Sequence, residues 1–198
     1  MKMRVVSTSA SDSAAGSGVR QVHIHYLDAN YLEAEITVTL NGTTPVLTVP
    51  VDIARVQLMY AVAVGSTGVA VGDVSLTNVA GTVTYSLLLN GLNFARQSIS
   101  TVAADKQGFI SHWQSASGST GNHFCQMVLR ATTFNGELVP GVFLVQDEQG
   151  TQNGGVIVNL PVPIPLPPRC DIKLSAVSDA ANANVTALGT ILGWREPI

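Results

Sequence analysis

Two histidines spaced two residues apart, His23 and His25, are the residues whose spacing most invites a chemical reading. On a β-strand, positions i and i+2 project from one face, so the two imidazoles would stand side by side. Paired imidazoles ligate zinc and related transition metals when a further donor joins them. Glu33 and Glu35 lie just beyond a turn, where a returning strand would bring one of them opposite the histidines. His23 and His25 are therefore weak candidates for a metal, with Glu33 or Glu35 as third ligand. The same four residues also make a solvated polar face with cross-strand His–Glu pairs. That second reading is the expectation, with no metal and no cofactor.

Other constellations fall short of a mechanism. His112 and His123 flank the segment SASGSTGNH and read as loop or interface histidines. Cys125 follows His123 by two residues, but acyl transfer needs a base in contact with the nucleophile and a third group orienting the base. The chain has no Gly-x-Ser-x-Gly elbow. Asp147 with Glu148, or Glu33 with Glu35, could in principle serve glycoside hydrolysis, which needs carboxyls at a defined separation around a cleft. Aromatic residues make up only 6% of the chain, with Trp113 and Trp194 the two tryptophans, so sugar platforms are scarce. Gly65, Gly68 and Gly72 sit among β-branched residues and read as turns, not as a phosphate-binding loop. Asn41-Gly-Thr and Asn184-Val-Thr match the glycosylation sequon, read here as accidental. Cys125 and Cys170 lie far apart, without metal-ligand spacing, and are expected to be buried free thiols. The expectation is a non-enzymatic protein.

The elements carrying these residues are strands. In RQVHIHYL, Val22, Ile24 and Tyr26 alternate with His23 and His25. After the turn Asp28-Ala29-Asn30, Leu32, Ala34, Ile36, Val38 and Leu40 alternate with Glu33, Glu35, Thr37 and Thr39. This is a hairpin with one dry and one wet face. Asn41-Gly42 and Asn135-Gly136 are tight-turn signals. Further strand-like runs cover 53–64, 68–79, 82–89, 97–103, 108–117, 123–134, 138–148, 155–166, 170–178 and 184–194, while 180–183 offers one helical turn at most. The pattern predicts an all-β fold, an antiparallel β-sandwich of jelly-roll type, as a single domain over 20–198. Residues 1–19 contain the small, polar STSASDSAAGSGV and predict a flexible arm. Prolines 161, 163, 165, 167 and 168 predict an edge strand or extended arm, because proline lacks the N–H of a central ladder. Candidate interface residues are Ser11, Asp12 and Ser13 in the arm, and Pro161, Pro163, Pro165 and Pro167 in the strand. Polar loops are expected at 115–122 and 147–154.

Composition narrows the class. Charged residues are 12% of the chain, against roughly a quarter in an average soluble domain, while hydrophobic residues reach 46%. Much of the surface is then uncharged and polar, or covered by other subunits. Mean hydropathy is +0.31, yet Gly, Thr, Asn or Pro breaks each apolar run before the roughly 20 residues that a membrane helix needs. A net charge of −3, with basic residues scattered singly, argues against nucleic-acid binding. The N-terminus lacks an apolar signal core, so synthesis in a cytoplasm is expected.

Three stretches, SASDSAAGSGVRQVHIHYLDANY, ITVTLNGTTPV and STVAADKQGFISHWQSASG, together resemble the β-rich accessory subunits of tailed-phage virions. In that pattern a small-residue arm runs into an Arg-Val-x-Ile-x-Tyr-Leu-Asp strand and a Thr-Leu-Asn-Gly-Thr-Thr-Pro hairpin. A Val-Pro-Ala-Gly-Lys-x-Gly-Tyr-Ile strand opening comes later. Here Ala103 replaces the proline of that opening and Asp105 its glycine. The resemblance covers about a third of the chain and brings no catalytic residue. It implies a structural component of a bacteriophage particle, either a capsid decoration or cement protein or a head or tail accessory. The implied partners are other virion proteins, the major capsid or tail proteins, and further copies of the chain as a trimer or dimer, with no nucleic acid and no membrane. The implied location is the virion, assembled in the host cytoplasm. The alternative is a module of a tail or head fibre that binds a host receptor or carbohydrate through the loops at 115–122 and 147–154.

Overall fold

A computed structural model describes residues 1–95, 97–118, 124–152, 154–179 and 184–188. The described chain is all-β and antiparallel, as the alternation predicts. It divides into two compact units, Met1–Gln97 and Ser98–Ile198, in place of one domain over 20–198. Each unit faces two sheets across its own core.

The first unit contains β1 (Met3–Ser7), β2 (Val19–Leu27), β3 (Glu33–Thr39), β4 (Val46–Leu47), β5 (Arg55–Val64), β6 (Val74–Asn78) and β7 (Thr84–Leu88). One sheet has the order β4-β1-β6-β7 and the other β3-β2-β5. Met3 and Val5 of β1, Val74 and Leu76 of β6, and Leu88 of β7 come from the first sheet. They share one core with Val22, Ile24 and Tyr26 of β2, Val38 of β3 and Met59 of β5. The predicted dry face of the first hairpin is therefore the core face, except for Leu32, which is exposed beside the turn. The turn between β2 and β3 is fixed by Asp28, whose Oδ1 accepts from the N–H groups of Asn30 (2.8 Å) and Leu32 (2.9 Å). The strand expected over 68–79 is shorter, because 68–73 is a loop.

Residues 1–19 are not an arm. Met3–Ser7 is a central strand paired with both β4 and β6. The segment after it folds around Asp12, whose side chain is fully buried. Asp12 Oδ1 accepts from the backbone N–H groups of Val19 (2.8 Å) and Val71 (3.0 Å). Its Oδ2 accepts from Ser7 Oγ (2.6 Å) and from the Gly72 N–H (2.8 Å). The small residues that suggest flexibility are what allow this wrapping. A β-carbon at Gly18 would lie 2.1 Å from Asp12 Oδ1.

The second unit contains β8 (Ile99–Thr101), β9 (Gly108–Gly118), β10 (Phe124–Ala131), β11 (Thr133–Phe134), β12 (Glu137–Leu138), β13 (Leu144–Gln152), β14 (Gly154–Leu166), β15 (Asp171–Ser178) and β16 (Asn184–Leu188). Its sheets run β13-β10-β15-β8 and β14-β9-β16, with β11-β12 as a separate hairpin. Numbered from β8 to β15 as strands one to eight, the first sheet reads 6-3-8-1, and strand 7 pairs with strand 2. That is the winding order of a jelly roll, with the short β11-β12 hairpin as its fourth and fifth strands. Ile110 and Trp113 of β9 and Leu166 of β14 meet Cys125, Met127 and Leu129 of β10 and Ile172 of β15 in the core. The Asn135-Gly136 hairpin forms as predicted, with positive φ at both residues (51° and 85°), the type I′ geometry that matches strand twist.

Candidate metal centre and candidate interfaces

The β2–β3 register places His25 opposite Glu35 and His23 opposite Thr37. The two imidazoles share the wet face, with ring centroids 4.8 Å apart at 73°. Glu35 reaches both: its Oε2 lies 3.2 Å from His23 Nε2 and 3.9 Å from His25 Nδ1. Of the two glutamates that the sequence offers, it is Glu35 that closes the group, and one ligand atom from each of the three residues falls within 4.8 Å of the others. His23 Nδ1 is 2.9 Å from Thr37 Oγ1. A carboxylate only accepts, so in the His23–Glu35 contact the proton sits on Nε2, and Nδ1 can accept from the Thr37 hydroxyl.

The strand on the other side of β2 completes the surroundings. Tyr60 of β5 pairs with His23, and its ring stacks on His25 (5.9 Å, 18°) and tilts against His23 (5.4 Å, 56°). Sequence reasoning missed Tyr60, since nothing in its own segment points to the histidines before the sheet order is known. The site is a shallow surface one. The His23 side chain is 16% exposed, that of His25 41% and that of Glu35 65%. Two nitrogens and a carboxylate oxygen suit zinc and its neighbours among the transition metals, while calcium and magnesium prefer all-oxygen shells.

The other candidates for chemistry are taken up by the scaffold. Asp147 Oδ2 accepts from Trp113 Nε1 at 2.8 Å, and Glu148 Oε2 accepts from Gln126 Nε2 at 3.1 Å. These two carboxylates serve different partners and do not frame a cleft together. Cys125 and Cys170 are buried free thiols. Burial pushes the Cys170 thiol above its ordinary range, and its contacts with Thr132 only partly offset this. His112 lies in β9 with Nδ1 3.2 Å from Ser111 Oγ, while His123 and Trp194 lie outside the described residues, as does 180–183. The segment 147–154, expected as a loop, is strand on both sides of position 153. The segment 115–122 is strand as far as Gly118, and 119–122 lies outside the described residues.

The interface residues divide in two. Ser11 and Ser13 belong to the knot around Asp12. Ser11 N–H donates to Ser9 Oγ and Ser11 O accepts from Gly18 N–H, while Ser13 bridges Asn41. Burial resists the Asp12 charge, but the bonds from Ser7, Val71, Gly72 and Val19 outweigh it and hold the carboxyl below its ordinary range. Asp12 is a buried structural anchor, not a docking residue. The prolines behave differently. Among the described residues β14 is the outer strand of its sheet, as prolines require. Its register with β9 slips between Asn159↔His112 and Ile164↔Ile110, so Leu160, Pro161, Val162 and Pro163 bulge out against Ser111 alone. Pro161 and Pro163 are exposed, and Pro165 and Pro167 are half-buried.

A comparison with known protein families, curated proteins and solved structures finds no match for this chain.

Proposed function

We propose that the chain is a structural component of a bacteriophage particle. The role is that of a capsid decoration or cement protein, or of a head or tail accessory, acting through homo-oligomerisation and docking onto neighbouring subunits. The observation that carries this reading is the outer strand β14. Ile157 is 68% exposed and Val162 78% exposed on it, although apolar side chains of this size normally go inside. The prolines bar continuous backbone pairing along 161–165, so a partner must dock there by side-chain packing and not by adding a strand. An apolar, uncharged outer strand fits a covered surface. The jelly-roll winding of the second unit is one used by capsid and lectin domains, an analogy at the level of fold only. The resemblance of the sequence to phage accessory subunits points the same way. The arm has no part in this account, since Ser11, Asp12 and Ser13 are committed within the first unit.

Light scattering coupled to size exclusion tests the oligomer directly. The purified chain should run as a closed dimer or trimer, and Ile157→Asp with Val162→Asp should reduce it to monomer with an unchanged far-UV spectrum. A wild-type chain that stays monomeric at the highest soluble concentration overturns this mode of action.

A further inference from the structure

We propose that His23, His25 and Glu35 form a binding site for one divalent transition metal of the zinc class on the exposed face of the β3-β2-β5 sheet. The inference stands apart from the particle role and concerns this face alone. Three features carry it.

The first is spacing. Bonds of about 2.0–2.2 Å in a tetrahedral zinc shell put neighbouring donor atoms roughly 3.4 Å apart. The Glu35 Oε2 distances of 3.2 Å to His23 Nε2 and 3.9 Å to His25 Nδ1 bracket that value. The two imidazole nitrogens also fall within 4.8 Å of each other, and closing the set asks the exposed His25 and Glu35 side chains to turn inward.

The second is rigidity. The three donors come from two strands in continuous register. Tyr60 packs against both imidazoles from the third strand. The rings are thus ordered before any ion arrives, which lowers the entropy lost on binding.

The third is an outer contact of the kind that metal-bound histidines use. With a metal on Nε2, Thr37 Oγ1 at 2.9 Å from His23 Nδ1 can accept a hydrogen bond from Nδ1–H, which fixes the tautomer and the ring plane. In the absence of metal, a proton on Nε2 can bridge to Glu35. The ion takes Nε2, and the one proton of the ring then sits on Nδ1, hydrogen-bonded to Thr37 Oγ1. Three protein ligands leave a fourth position open to water on this exposed face.

The test uses the full chain after chelator treatment, titrated calorimetrically with Zn²⁺, and with Co²⁺ while the visible absorption is recorded. One Zn²⁺ per chain is expected, with an intense four-coordinate Co²⁺ spectrum and a change in tyrosine near-UV dichroism as Tyr60 feels the rings settle. Mg²⁺ should give no saturable heat. His23→Gln and Glu35→Gln, both on the solvent face, should abolish the one-site isotherm while the far-UV spectrum stays as in the wild type. Thr37 positions a ligand without being one, so Thr37→Val is the milder change. It should weaken binding roughly 10–100-fold with the Co²⁺ spectrum retained. No saturable site up to about 1 mM Zn²⁺, or equal binding by the His23→Gln and Glu35→Gln variants, overturns the proposal.

Discussion

Replacing Asp12 by alanine should unfold the first unit far more readily than its position in a Ser- and Ala-rich segment suggests. The substitution strips partners from three backbone N–H groups, those of Val19, Val71 and Gly72, and from the Ser7 hydroxyl. A hydrogen bond to a charged group contributes about 1.5–3 kcal/mol, and each buried donor left unpaired costs about 1–3 kcal/mol. The four share one carboxylate and do not add in full, so the expected loss is about 4–6 kcal/mol. A domain of this size holds only about 5–15 kcal/mol in total. Asp12→Asn separates the contributions. Its carbonyl can still serve Val19 and Val71, and Ser7 Oγ can turn to accept from the new amide. The Gly72 N–H, however, then faces another donor, so about half the loss is expected.

The assay can resolve the units because all four tyrosines (26, 31, 60 and 85) lie in the first and both tryptophans (113 and 194) in the second. In urea titrations the tyrosine dichroism should report a midpoint lower by about 2–3 M for Asp12→Ala, taking a slope of about 2 kcal/mol/M. The tryptophan fluorescence midpoint should hold still. The pH dependence has a definite sign. The folded carboxyl titrates below its ordinary 3.8, so the unfolded state binds the proton more readily. The Asp12 contribution is then complete above that ordinary value and is lost as pH falls from there through the folded one. The gap between wild type and Asp12→Asn should close over the same acidic window. An unchanged tyrosine midpoint in Asp12→Ala would refute the anchor and restore the free arm.

Three further outcomes are expected, one at the Asp12 anchor and two in the second unit. Gly18→Ala should cost about 2–3 kcal/mol by pushing the Asp12 carboxylate aside, and far less in an Asp12→Ala background, which a double-mutant cycle in urea measures. Trp113→Phe removes the indole N–H held by Asp147 at 2.8 Å. It should lower the stability of the second unit by about 1.5–3 kcal/mol, read as the urea concentration at which the buried Cys125 and Cys170 become reactive, and an unshifted midpoint denies that bond any weight. Neither thiol should react with a disulfide reagent in the native chain, because both are buried and Cys170 is held protonated. Two thiols per chain should react in urea, and prompt native labelling contradicts the burial.

Alternation and turn chemistry made much of the fold legible. The Val22, Ile24 and Tyr26 face, the Asn135-Gly136 hairpin and the proline-bearing outer strand all follow from rules that act over a few residues. The errors have a common physical origin. Asp12 is a single acid in a polar stretch, and its burial depends on N–H groups of Val71 and Gly72 some sixty residues away. Residues 147–151 carry Asp, Glu, Gln, Gly and Thr because they lie in a partly exposed strand, so polarity there signals a wet face and not a loop. The division near Gln97 leaves no mark in composition. At the candidate metal centre, His23, His25 and a facing glutamate were readable from the hairpin. Choosing Glu35 over Glu33 needed the register, and Tyr60 needed the strand order.

The central proposal is that the chain is a built-in part of a phage particle. Phage particles released by cells that carry this coding sequence, purified through a density gradient, can be analysed by quantitative mass spectrometry. The account predicts that this chain co-purifies at a fixed, symmetry-related ratio to the major capsid or tail protein and survives high-salt washing. Its recovery only in the soluble fraction of the lysate, with none in the particle band, would contradict the account.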